Sequence, residues 1–264
     1  MGEHRNNPAI GEVDLHVDDA LLAEELAGRA GALLLQLRAA GADGRTGDAE
    51  SDAFLLAELA ARRPGDAVLS EESPDPAARH TAERVWIVDP LDGTREFGEA
   101  GRTDWAVHVA LWQRGELACG AVALPARSSV RSSRTPVPPP ARERVRRIAV
   151  SRTRPPAWAH AVAEELDAEL VGMGSAGAKV DAVLRGEVDA YFHDGGQYEW
   201  DSAAPVAVAL AARLHASRVD GSTLRYNQPD PWAPDLLVCD AGVADRMVGL
   251  IGRHRRTNEG ARTR

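Results

Sequence analysis

The stretch "RVWIVDPLDGTREF", residues 84–97, constrains this chain more than any other. An apolar strand-like run, "RVWIVD", ends on Asp89, and a second aspartate, Asp92, follows three positions later. A strand end can solvate one carboxylate cheaply. Two that converge repel each other unless a cation or a proton lies between them. Pro90 fixes φ and removes an N–H where the ladder stops, and Gly93 permits the positive φ of a tight reversal. In such a turn both carboxylates can point to one side with the Leu91 carbonyl beside them. Hard cations such as Mg²⁺ are held by oxygen donors of this kind. Aspartate, proline and glycine are also ordinary turn residues, so this segment alone leaves both readings open.

Other apolar segments close on acids as well. "VLSEES", residues 68–73, ends a strand-like piece with Glu71 and Glu72. In "YEWDSAAP", Asp201 opens an apolar helix, and its ordinary reading is an N-cap. In "GRTGDAESD", Asp48 or Ser51 reads equally as the cap of the next helix. Each of these is ordinary alone; together they leave a common role for the acids open.

The rhythm of the chain changes near its middle. "DDALLAEELAGRAGALLLQLRAAG" carries a helical stripe of Leu22, Leu26, Leu33 and Leu37, opened by Asp18 or Asp19 and closed by Gly41. A second helix ends at Pro64-Gly65, and the strand-like pieces "AVLSEE", "RVWIVD", "WAVHVALW" and "LACGAVAL" follow. Residues 126–144 are rich in Pro, Ser and Arg and read as a loop or linker. Beyond them strands and helices alternate to a last helix from about Ala244. The expected fold class is therefore α/β, with an α+β half over 1–143 and an α/β half over 144–264.

Composition narrows the function. The 264 residues carry 31 basic and 40 acidic side chains, a formal net charge of −9, which disfavours nucleic acid as a partner. Cys119 and Cys239 stand far apart, with no metal-type spacing, and read as buried free thiols. The polar start lacks a secretory apolar region, and no apolar run is long enough to span a bilayer. The expectation is a cytoplasmic protein with no membrane partner.

Taken in order, "SEES", "WIVDPLDGT" and "EWDSAA" resemble the Mg²⁺-dependent, lithium-sensitive phosphatases related to inositol monophosphatase. That family's signature is a Glu-Glu strand end, then W-I-x-D-P-x-D-G-T, then W-D before a small-residue helix. The resemblance covers nearly the whole chain. It implies a layered αβαβα sandwich, two or three Mg²⁺ ions with inhibition by Li⁺, and Glu71, Asp89, the Leu91 carbonyl, Asp92 and Asp201 as ligands. Thr94 and Asp48 then resemble the pair that orients an attacking water, with Glu72 as a supporting acid. Around Asp48 the sequence "RTGDAES" departs from the family's usual Thr-x-x-Asp spacing. The family is often dimeric, so the resemblance allows a homodimer, which no helix stripe here argues.

"VGMGSAGAKVDAVL" contains G-x-G-x-x-G at Gly172, Gly174 and Gly177, with Asp194 about twenty residues on, as in dinucleotide folds. A nicotinamide-dependent oxidoreductase is thus the rival from another class, though it leaves the acids without a task. A helix start at Gly174 and Ser175 is also an anion site in its own right. Within the family, "DGTREF" together with "GSAGAK" is similar to the CysQ-type 3′(2′),5′-bisphosphate nucleotidases, which act on adenosine 3′,5′-bisphosphate. Inositol phosphate and fructose 1,6-bisphosphate remain the alternatives. Expected substrate contacts are Gly93, Thr94, Arg95, Gly174, Ser175, Lys179 and Glu199, with Arg225 a further partner for a second phosphate. His108 and His193 can reach a site but read first as packing histidines.

Overall fold

The computed structural model describes residues 15–262, with side chains from 19 to 257. The polar start that argues against a secretory signal, and the Asp18 side chain, lie outside the described residues.

Helices α1 (Leu15–Ala39) and α2 (Gly44–Arg62) come first, followed by a five-stranded sheet. Its strands are β1 (Ala67–Ser70), β2 (Arg84–Asp92), β3 (Ala106–Gln113), β4 (Glu116–Leu124) and β5 (Ser129–Ser132), in sequential order. A short helix α3 (Thr94–Gly98) follows β2. Among the described residues of this first sheet only the β1–β2 pair is parallel. The second half contains β6 (Arg147–Ser151), α4 (Ala159–Leu166), β7 (Glu169–Met173), α5 (Ala176–Leu184), β8 (Ala190–Tyr198), α6 (Glu199–Ala211), β9 (Leu214–Ser217), β10 (Trp232–Asp240) and α7 (Ala244–Arg262). Its sheet runs β7-β6-β8-β10-β9.

Side-chain alternation along the strands sets the layers. On β2, Trp86 and Val88 pack with α1 and α2, while Val85 and Ile87 face the opposite way, into a core shared with α5 and α6. On β8 and β10, Tyr191, Leu236 and Val238 enter that same shared core, while Phe192, Leu237 and Cys239 turn outward to α4 and α7. The order is helices, sheet, helices, sheet, helices: the expected αβαβα sandwich. The same parity decides where the polar residues go. Asp89 and His108 continue the inward rows of the first sheet, and His193 continues that of the second, so all three face the middle layer.

The middle helices sit close to the sheet because their residues are small. A Cβ on Gly120 of β4 would lie 2.8 Å from Ala207 Cβ and 3.1 Å from the Ala204 backbone. On the outer side, α1 buries Ala23, Ala27 and Ala30 with Leu22, Leu26 and Leu34. Leu33 and Leu37 flank this face at half burial, so the buried stripe is narrower in leucine than the spacing suggests.

Several local expectations need correction. Helix α1 already includes Leu15, so Asp19 lies inside it; its carboxylate pairs with Arg63 and Arg84 at 2.7 and 2.9 Å. Helix α2 begins earlier than the stripe suggests and is capped by Asp43, which accepts the Thr46 N–H at 2.8 Å. Asp48 and Ser51 therefore cap nothing. Within the supposed linker, Ser129–Ser132 form strand β5, because its backbone completes the edge of β4. Strand β2 also runs on through Pro90 to Asp92, with a bulge between Asp89 and Asp92.

Candidate active site

That bulge builds the site. Pro90 has no N–H to give the ladder, and the extra residues carry the strand past a register break. The Leu91 N–H turns back to Asp89 Oδ1 at 3.1 Å, and the Leu91 carbonyl, released from the sheet, accepts Thr94 Oγ1 at 3.2 Å. Ser51 of α2 holds the Pro90 carbonyl at 2.8 Å. Gly93 has φ +93°, and its positive φ lets the chain reverse into α3. Helix α2 also starts tight against this turn: a Cβ on Gly44 would collide with Thr94 Cγ2.

A cleft of about 520 Å³ opens over the bulge. Glu71, Asp89, Asp92 and Asp201 all line it, together with Leu91, Gly93 and Thr94. The acids arrive from the end of β1, the bulge of β2 and the first turn of α6. Asp89 is 1% exposed, and burial raises its pKa well above the usual carboxylate range, with Glu71, Asp92 and Asp201 adding repulsion. Asp201 is raised by burial and then by Asp92. Glu71 is pushed to about 7 by desolvation and by Asp92, Asp48 and Glu72. It remains open to solvent, so water screens part of that repulsion. Asp48, buried under Thr94, is likewise raised to about 7, by burial first and Glu72 second, with the Thr94 hydroxyl offsetting part.

His108 sharpens the case for a cation. Its Nδ1 lies 3.2 Å from the Trp200 carbonyl, which only accepts, so Nδ1 carries the proton. Burial keeps the ring neutral. Nε2 is then an acceptor, yet it faces Asp92 Oδ2 at 3.4 Å. Asp89 Oδ2 and His108 Nε2 both lack a hydrogen-bond donor. Ligand atoms of Asp89, Asp92 and His108 fall within 4.8 Å of one another. Two buried acceptors without donors, Asp89 Oδ2 and His108 Nε2, gathered beside the Asp92 carboxylate fit a positive ion, and the carboxylate oxygens suit a hard one.

The sequence matches the inositol monophosphatase family over residues 45–248. The chain belongs to that family. It is 53% identical over 257 residues to the 3′-phosphoadenosine 5′-phosphate phosphatase of Mycobacterium leprae, covering 88% of this chain and 93% of the relative. It is 55% identical over 240 residues to the protein of that name from Mycobacterium bovis, covering 84% and 89%. Among solved structures, an Anabaena inositol monophosphatase superposes with a TM-score of 0.77 at 20% identity, covering 89% of this chain and 96% of that one. CysQ from Bacteroides thetaiotaomicron gives 0.72 at 25% identity, covering 85% and 97%.

In this member of the family the glycine turn has a different task from dinucleotide binding. Asp92 Oδ2 accepts Ser175 Oγ at 2.6 Å and the N–H groups of Ala176 and Gly177 at 2.5 and 3.3 Å. The start of α5 is therefore occupied by a carboxylate of the protein itself, not left open for a pyrophosphate. Asp194, the acid a ribose would need, accepts Trp158 Nε1 at 2.6 Å. The nicotinamide reading fails on both counts. Ser175 also caps α5 through the Ala178 N–H. Gly174 and Gly177 are glycines for space: a Cβ would lie 2.5 Å from Glu96 Cδ in the first case and would collide with His108 Nε2 in the second.

The remaining expected contacts divide. Arg95, Gly174 and Lys179 line the cleft. Lys179 is buried, however, with Nζ bound to the carbonyls of Gly174 and Ser175. Glu72 stands exposed beside Asp48. Glu199 is outside the cleft lining; its carboxylate accepts the N–H groups of Asn227 and Gln228 at 2.6 and 2.8 Å. Arg225 is exposed and also outside the lining. Sequence alone does not single out Ser151, Arg152, Thr153, Arg154 and Gln197, which line the cleft. Four of these follow one another at the end of β6, and a strand end facing the glycine turn is the one signal that could find them.

Proposed function

We propose that this chain is a Mg²⁺-dependent phosphomonoesterase that removes the 3′-phosphate of 3′-phosphoadenosine 5′-phosphate. The observation that carries the reaction is the convergence of Glu71, Asp89, Asp92 and Asp201 on one cleft with acceptors left unpaired. The names of the relatives at 53% and 55% identity support the substrate.

Glu71, Asp89, the Leu91 carbonyl, Asp92 and Asp201 would hold the magnesium. Bound there, magnesium supplies the positive charge that offsets the phosphate oxygens and the charge developing during displacement. The chain's own groups do the rest. Thr94 Oγ1, which lines the cleft, and the buried Asp48 carboxylate behind it, which is not in the lining, orient a water and take its proton as its oxygen attacks phosphorus. The P–O3′ bond breaks, the 3′ oxygen leaves with the bonding pair and takes a proton from solvent water in the open cleft, Asp48 returns its proton to solvent, and the products are AMP and inorganic phosphate. Asp48 suits this role because its affinity for a proton is raised toward neutrality by burial. Asp92, locked by the α5 start, is a pre-positioned ligand. Lithium is expected to inhibit by competing at the same carboxylates.

Phosphate release from 3′-phosphoadenosine 5′-phosphate, inositol 1-phosphate and fructose 1,6-bisphosphate, each with Mg²⁺, with EDTA and with added Li⁺, tests this. The nucleotide should have the highest kcat/KM, EDTA should stop turnover and Li⁺ should lower it. A clear preference for either other substrate would sink the specificity, and turnover in EDTA would sink the mechanism.

A further inference from the structure

The substrate of the proposed reaction carries two phosphates, and the carboxylate centre accounts for only the one that is cleaved. A site for the other phosphate rests on that same reading of the reaction. Four cationic side chains line the cleft: Arg95, Arg152, Arg154 and Lys179. Two are committed within the protein. Lys179 is buried against the carbonyls of the 174–175 turn and over the Tyr191 ring. Arg152 donates to Glu96 at 2.6 Å and to Glu99 at 2.8 Å. Arg95 directly follows Thr94, on the side of the phosphate that reacts, with the Glu99 charge near it.

Arg154, like Arg95, has no carboxylate ion pair among the described residues; what sets it apart is its place across β8, where its guanidinium makes one long hydrogen bond, Nη2 to the Gly196 carbonyl at 3.4 Å. Strand β8 gives it room. Gly195 and Gly196 have φ of +82° and +79°, and a Cβ on Gly196 would lie 2.5 Å from Arg154 Nη1. A side chain there would displace the guanidinium from the cleft wall.

A second group points to the same place. His193, on the inward row of β8, lines the cleft and is 3% exposed; neither ring nitrogen makes a well-formed hydrogen bond, and the Gly195 backbone is the polar group that acts on the ring. Burial, with the charges of Lys179 and Arg154, keeps it neutral, its pKa pushed down to about 4. A neutral imidazole retains one N–H to donate. A buried N–H donor with no better acceptor than the Gly195 backbone, near an arginine without a carboxylate, is a site for an anion.

We propose that Arg154, lying across Gly196 beside His193, anchors the second, non-reacting phosphate and sets the preference for a bisphosphate over a monophosphate. Arg154 is a specificity-determining residue; the reacting atoms lie at Asp89 and Thr94. The guanidinium fork suits phosphate oxygens in a way a lysine does not.

The test compares kcat/KM for 3′-phosphoadenosine 5′-phosphate with that for 3′-AMP, which lacks the second phosphate. Arg154→Gln should lower the ratio of the two about tenfold to hundredfold, the range of a lost charge-assisted hydrogen-bonding pair. The loss should appear in KM, and Arg154→Lys should recover part of it. His193→Ala should move the ratio the same way. The Kd of 5′-AMP, which keeps the second phosphate, should rise with Arg154→Gln while that of adenosine stays put. An unchanged ratio, whether both substrates suffer equally or neither does, overturns the proposal. Wild-type protein that releases no phosphate from the bisphosphate would instead overturn the parent reading, and that result is visible before any variant is compared.

Discussion

Asp89 is the residue on which the site turns. It is buried, held by the Leu91 N–H on one oxygen and without a donor on the other, and acted on by four more carboxylates, Glu71, Asp92, Asp201 and Asp48. Replacing it with asparagine keeps the shape and removes a charge. Asp89→Asn should therefore fold, lose at least about a hundredfold in Mg²⁺-supported turnover, and be more heat-stable than wild type without metal at pH 8. Lower metal-free stability in the variant would mean that Asp89 is paired within the protein. Thr94 makes a different prediction. Its hydroxyl bonds the Leu91 carbonyl and adjoins Asp48, so Thr94→Ala should lower kcat about 10²- to 10⁴-fold, the usual span of acid–base assistance, with little change in KM. Steady-state kinetics showing the reverse split would assign Thr94 to binding alone.

At the scale of elements, the site depends on close approaches that small residues permit. Helix α5 starts against Asp92, and Gly177 abuts His108. Gly177→Ala should cost about 1–3 kcal/mol in urea unfolding, as overpacking does, and should lower turnover by displacing either the helix start or His108. Wild-type stability in that variant would contradict the packing. These contacts also explain which parts are legible in the sequence. Strand β2 and its acids can be read because an apolar run, Pro90 and Gly93 each have a local meaning. The start of helix α2 is hard to read because Asp43 caps it before the leucine pattern begins. The glycine turn looks like an anion site because a sequence shows free N–H groups and cannot show that Asp92, more than eighty residues earlier, fills them. Glu199 looks like a site residue by position, yet Asn227 and Gln228 take its carboxylate. Arg154 escapes notice because a free arginine and a paired one, such as Arg152, are identical in one-letter code.

For the molecule as a whole, the acids that make the site also strain the metal-free fold. Asp48 and Glu71 bind protons up to about pH 7 when folded, against ordinary values near 4. Between those limits these two carboxyls hold more protons in the folded state than in the unfolded chain. These carboxylates therefore lower metal-free stability as pH rises from about 4 to about 7, with Asp89 and Asp201 contributing in the same direction. Together they outweigh His193 and His108, whose burial in the neutral form works the opposite way below about pH 6.5. A cation bound to the folded state reverses the loss; at a hundred times its Kd it adds about 2.7 kcal/mol, or roughly 5–10 °C in Tm for a chain of this size. The decisive measurement is Tm against pH, from 5 to 8, with EDTA and with saturating Mg²⁺. The account predicts a metal-free Tm that declines across this range and a Mg²⁺-induced rise that is largest at pH 8 and absent in Asp89→Asn. A metal-free Tm that climbs with pH, or a Mg²⁺ effect that persists without Asp89, would contradict it.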